Sequence, residues 1–156
     1  MQAYEEVIRE YLAISSESRS GLVWIKKPAR NVKVGDAALT GCNTGGYYQG
    51  MFRNKKLLAH RVVFFLANGY WPKEIDHKDG NKRNNAPSNL ADVTRVQNAQ
   101  NIIGKGYSRN GGKFRAEITV GGITRYLGSF FTEKEAREAY LLAKATLHYT
   151  PRLEVA

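Results

Sequence analysis

Apolar positions near the start of the chain fall at Tyr4, Val7, Ile8, Tyr11 and Leu12, with Glu5, Glu6, Arg9 and Glu10 between them. That spacing predicts an amphipathic helix from Tyr4 to Ile14, stopped by the polar stretch from Ser15 to Gly21. Leu22 to Ile25 and Tyr47 to Phe52 read as short strands, with a glycine-rich segment between them and room there for another. Asn54-Lys55-Lys56 is the expected hairpin turn. His60 to Asn68 contains the longest apolar run, Val62 to Ala67, and predicts a buried helix ended by Gly69 and Pro72. Phe64, Phe65 and Trp24 are the expected core.

The texture then turns polar. Between Tyr70 and Ala91 the chain reads as an irregular loop rich in Asn and Asp, whose side chains can satisfy backbone groups and so order it. Thr94 to Gln97 is a capping box that opens a short helix to about Asn101. Farther on, Phe114, Ala116, Ile118 and Val120 alternate with Arg115, Glu117 and Thr119, the pattern of a strand with one covered face. Gly121-Gly122 is a hairpin signal, Ile123 to Gly128 returns as a second strand, and Tyr107 begins a third. A second capping box at Thr132–Glu135 starts a helix to about His148, with a stripe at Ala136, Ala139, Tyr140, Ala143 and Leu147. The expectation is an α+β protein with two parts, residues 1–101 and 107–156, joined by a linker at 102–106.

Charge sharpens this picture. The 156-residue chain has a net charge of +10, and the excess sits in two places, +7 over residues 19–56 and +5 over residues 95–125. Both segments are rich in Gly and Asn rather than amphipathic-helical, which favours a nucleic acid over a membrane surface. The longest apolar run is far short of the ~20 residues of a membrane span. Cys42 is the only cysteine, so disulfide frameworks and cysteine-built zinc sites are excluded. The composition is that of a cytoplasmic protein that contacts a polyanion.

One constellation carries chemistry. Asp76-His77 ends a short apolar segment, Asn89 follows twelve residues after His77, and Asn98 lies on the capped helix. Hydrolysis of a phosphodiester needs hard oxygen ligands for a divalent cation, an imidazole to take a proton from water, and a group to hold that imidazole. Asp76 and Asn98 are candidate ligands for one Mg²⁺ or Mn²⁺, His77 the candidate base and Asn89 its orienting partner. His60 and Arg61 are structural or substrate-adjacent candidates.

These residues occur in a longer pattern: His60-Arg61, Tyr70-Trp71-Pro72, Asp76-His77, Asn84-Asn85, Asn89-Leu90, Val93-Thr94 and Gln97-Asn98. The pattern resembles the HNH homing endonucleases of phages and introns, although the last His of the eponymous motif is Asn98 here. The resemblance implies a ββα-metal (His-Me finger) core at about 70–101. It also implies cleavage of double-stranded DNA to 5′-phosphate and 3′-hydroxyl ends in a bacterial or phage-infected cell. The last third, through Lys105–Ile118, Tyr126–Phe130 and Glu135–Ala143, resembles the Apetala-two DNA-binding domain. That likeness implies a three-stranded sheet laid in a DNA groove, with Arg115, Glu117 and Tyr126 facing bases and Lys105, Arg109 and Lys113 near phosphates. Arg125 falls where that family carries an apolar, helix-facing residue. A monomer or homodimer without a small-molecule cofactor is expected. The rival functions are a non-catalytic DNA-binding regulator and a structure-specific nuclease.

Overall fold

The computed structural model describes residues 2–101 and 104–148, so two residues of the expected linker and the last eight of the chain lie outside it. The chain forms two compact units, residues 1–93 and 94–156. The sequence pattern placed the divide after residue 101, but the contacts group the helix that opens at Thr94 with the second unit.

In the first unit, α1 (Gln2–Tyr11) gives way to β1 (Leu12–Ile14), which pairs antiparallel with β2 (Leu22–Trp24). The expected helix through Ile14 is therefore too long by three residues. Leu12 and Leu22 are buried in this pair, and a strand lets both chains share one apolar layer. β3 (Gly41–Cys42), β4 (Tyr48–Phe52) and β5 (Lys55–Leu58) form a three-stranded antiparallel sheet. The turn between β4 and β5 is Arg53-Asn54, both with positive φ, and not Asn54-Lys55-Lys56 as the sequence suggested. Two residues in the left-handed region match the twist of a tight hairpin, which leaves Lys55 and Lys56 in the strand.

α2 (Ala59–Asn68) follows β5 directly and is closed by Gly69, whose N–H bonds the Phe65 carbonyl in a left-handed cap. Its spacing places His60, Val63 and Phe64 on one stripe, and Val62, Val63, Phe64 and Phe65 are all buried. They pack with Ile8, Leu12, Leu22, Trp24, Phe52 and Leu90, and Phe65 stacks on Trp71 at 4.4 Å. Burial of each such side chain contributes about 1.5–3 kcal/mol, so α2 is the pillar against which the later loop is set. β6 (Glu74–His77) and β7 (Leu90–Val93) pair antiparallel within what read as a loop, with a 3₁₀ turn (Pro87–Asn89) before β7.

The second unit opens with α3 (Arg95–Asn101). Its capping box is formed: the Thr94 N–H donates to Gln97 Oε1 at 2.7 Å and the Gln97 N–H to Thr94 Oγ1 at 3.2 Å. β8 (Tyr107–Asn110), β9 (Lys113–Val120) and β10 (Ile123–Phe130) form an antiparallel sheet in the order β10-β9-β8. α4 (Glu133–Leu147) covers one face, with a complete capping box at Thr132 and Ala136, Tyr140 and Lys144 buried against Ala116 and Ile118. Gly106, at φ +76°, lies under the Tyr140 ring, where a Cβ would come to 2.0 Å from the nearest ring carbon. Only glycine fits there. Arg125 pairs with Ile118 and remains exposed; the register shifts at Tyr126/Gly128, just after the position at which its residue type departs from the expected apolar one.

Candidate active site

His77 ends β6 opposite Leu90, and Asp76 stands opposite Ala91. Both are buried, His77 at 3% exposure and Asp76 at 7%. Three groups define the surroundings of the imidazole. Its Nε2 lies 3.1 Å from Asn85 Oδ1. The His60 ring meets it edge-on with centroids 5.4 Å apart, and Tyr47 packs on both rings, at 5.0 Å from His60 and 5.9 Å from His77.

His60 reaches this place because α2 presents it on the same stripe as Val63 and Phe64. Burial pushes its pKa down to about 4, and the charges of His77 and Arg61 push in the same direction. It is therefore a neutral wall at neutral pH. Arg61 faces elsewhere: its guanidinium donates to the Pro72 and Lys73 carbonyls and ties α2 to the segment that leads into β6.

The loop between β6 and β7 is ordered by its own side chains. Asp79 accepts from the Asn81 N–H at 2.7 Å, from Asn84 Nδ2 at 2.7 Å and from Asn89 Nδ2 at 3.0 Å. Asn89 Oδ1 accepts in return from the Asp79 N–H, and Asn89 Nδ2 also donates to the Asn84 carbonyl. Burial raises the Asp79 pKa, but the hydrogen bonds from Asn84, Asn81 and Asn89 and the field of His77 outweigh it and hold the carboxyl below its ordinary value. Asn89 thus clamps the loop immediately after His77, and its carbonyl accepts from the Lys78 N–H. The side chain that touches the His77 ring is that of Asn85.

Asn85 is 3% exposed, and its Nδ2 donates to the Ser20 carbonyl at 2.8 Å. Ser20 is fully buried and bonds the Ala38 carbonyl at 2.5 Å through its hydroxyl. Sequence pattern missed Ser20 and Tyr47, since neither belongs to a local motif. Asn85 stood in the Asn84-Asn85 pair, but nothing in the spacing separated its role from that of Asn89.

Asn98 lies on α3 in the second unit, and Asp76 in the first. Among the described residues no group of three or more His, Cys, Asp or Glu side chains could hold a metal. The Asp76 carboxylate is by itself a hard oxygen donor of the kind Mg²⁺ takes, since that ion commonly uses one or two carboxylates and completes its shell with water and substrate phosphate.

Residues 57–100 match the family model described as HNH endonuclease. This segment is similar to HNH endonuclease domains. The chain is accordingly a DNA endonuclease, a hydrolase, and its substrate is DNA. The match runs from β5 into α3 and contains His60, Arg61, Asp76, His77, Asn85, Asn89 and Asn98. No protein among curated sequences and no solved structure gave a match. No helix among the described residues is long and apolar enough to cross a membrane.

Outside the matched segment, the sheet of the second unit has one face covered by α4 and one open. The open face carries Arg115, Glu117 and Tyr126. Arg115 pairs with Glu117 at 2.5 Å and lies 5.3 Å above the Tyr126 ring. Lys105, Arg109 and Lys113 are exposed, Lys105 over the Tyr107 ring and Lys113 over Phe131.

Proposed function

We propose that the protein cleaves double-stranded DNA in the manner of a homing endonuclease, with His77 as general base, and leaves 5′-phosphate and 3′-hydroxyl ends. The observation that carries this reading is the His77 imidazole, buried at a strand end next in sequence to the buried Asp76 and held at one nitrogen by Asn85. A ring so held takes a proton from water without first paying to order itself. Tyr47 and neutral His60 pack against it, and the Asp79–Asn89 clamp fixes the backbone that follows it. Asp76 and Asn98 would hold one Mg²⁺ or Mn²⁺, which supplies neutralisation of charge at the scissile phosphate and the departing oxygen.

The second unit resembles the Apetala-two domain in sequence, and its open, basic sheet face suits a DNA groove. In this reading Arg115, Glu117 and Tyr126 face bases, while Lys105, Arg109 and Lys113 meet phosphates. The basic segment at 19–56 adds phosphate contacts from the first unit, where Lys26 and Arg53 cluster about Tyr11.

Replacing His77 by Ala tests the central role. Cleavage should fall about 10²–10⁴-fold, the usual range for losing a general base, with DNA affinity unchanged. Cleavage by His77→Ala near the wild-type rate would remove His77 from the chemistry. End-labelling of the products with and without phosphatase checks the termini.

A further inference from the structure

The imidazole of His77 has two nitrogens, and only one can carry the proton in the neutral ring. Which one does is decided by a chain of hydrogen bonds that begins outside the matched HNH segment. The Ser20 carbonyl can only accept. The amide of Asn85 must therefore turn its NH₂ group toward Ser20, and at 2.8 Å it does. This leaves Asn85 Oδ1, an acceptor, 3.1 Å from His77 Nε2. An acceptor facing that nitrogen requires a hydrogen on it.

We propose that Asn85 is the positioning residue of the site: it fixes His77 as the Nε2–H tautomer and so leaves Nδ1 as the proton acceptor. No described residue hydrogen-bonds Nδ1, as that role requires. The chain of control runs from the Ala38 carbonyl to the Ser20 hydroxyl, from the Ser20 carbonyl to Asn85, and from Asn85 to His77. Each link is buried, so none exchanges its partner for water without cost. Asn89 has a different task, holding the loop through Asp79. The Ser20-Gly21 turn, remote in sequence from the matched residues, thus becomes part of the catalytic apparatus.

The inference rests on the reading of His77 as general base, and its test separates the two. Long-range ¹H–¹⁵N correlation spectra of the ¹⁵N-labelled, metal-free full chain at neutral pH report the proton on each ring nitrogen. The wild type should show His77 protonated at Nε2 and bare at Nδ1. Asn85→Leu, close in shape but without either polar group, should lose the single tautomer. Cleavage should slow about 10–100-fold, the usual cost of losing the outer partner of an oriented histidine, with DNA affinity retained. A wild-type ring protonated at Nδ1 would overturn the inference even if no variant folded, as would a full Nε2–H signal and wild-type rate in Asn85→Leu. If the tautomer behaves as expected but His77→Ala cleaves normally, the positioning stands and the general-base reading fails.

Discussion

Asn85 donates to the Ser20 carbonyl at 2.8 Å across 65 residues of sequence. The contact has a geometric condition at the neighbouring residue. Gly21 has φ +80°, and a Cβ there would lie 3.1 Å from the Asn85 Cβ and 3.2 Å from a Val63 methyl. Gly21→Ala should therefore cost about 1–2 kcal/mol for the left-handed backbone alone and should also push Asn85 away from His77. Urea denaturation measures the first effect. The second should appear as slower cleavage at temperatures where the variant is fully folded. A destabilised Gly21→Ala that cleaves at the wild-type rate would show that the turn does not set the Asn85 position.

His60 makes stability depend on pH. Its folded pKa of about 4, depressed first by burial and then by His77 and Arg61, lies below the ordinary 6.5. The unfolded chain thus binds the proton more readily than the folded one. The contribution is intact above pH 6.5 and is lost as pH falls toward 4, at about 1.4 kcal/mol per pH unit. Unfolding free energies from urea titrations at pH 7.5 and 5 should differ by about 2 kcal/mol more in the wild type than in His60→Leu. Parallel pH dependence in the two proteins would mean that His60 is protonated in the fold.

Asp79 and Asn89 form one unit of the loop, so their mutational effects should not add. Asp79→Ala and Asn89→Ala should each cost about 0.5–1.5 kcal/mol per lost bond, and a double-mutant cycle should show coupling of about 0.5–3 kcal/mol. If Asn89 acts on His77 only through this clamp, the double variant should cleave no more slowly than the slower single one. Independent, multiplicative losses in rate would give Asn89 a direct role in the chemistry.

Chelation should separate cutting from binding. EDTA should abolish cleavage and leave DNA binding, since the charge of the two basic segments needs no cation. Asp76→Ala and Asn98→Ala should each weaken Mn²⁺ binding in calorimetry, because a hard ion with two protein oxygens cannot lose one without loss of affinity. Wild-type affinity in both variants would discharge these residues as ligands.

Much of the fold was legible because it is local. The alternation over β9, the capping boxes at Thr94 and Thr132, and the stripe that buries Ala136 and Tyr140 are short-range patterns, and the structure forms each one. What pattern could not separate was the work of two asparagines four residues apart. Asn85 and Asn89 have the same chemistry and the same loop context. They differ because Ser20, brought in by the β1–β2 pair, meets only one of them. The β1 error has a similar origin: Leu12 continues the helical stripe of α1, but its partner Trp24 exists only after folding. Likewise β6 and β7 are hidden in a polar stretch because the pairing of Asp76 with Ala91 leaves no run of alternating residues long enough to see.

Arg115 stands on the open sheet face with Glu117 and Tyr126 fixing its guanidinium on two sides. A planar fork held in this way is suited to bidentate contact with a guanine edge. Arg115→Ala should then relax site preference, losing about 1–3 kcal/mol of discrimination at one base pair. Lys113 is exposed at the start of β9 and not paired with a carboxylate among the described residues. Lys113→Ala should weaken binding to all sequences alike and lower the salt slope by about one unit. Cleavage maps on one long DNA, with affinities at several salt concentrations, distinguish the two effects. The matched segment is untouched in both variants, so turnover on a preferred site at saturating protein should hold. If Arg115→Ala returns the wild-type map and shifts only the salt dependence, the open face positions DNA without reading it, and sequence preference resides in the first unit.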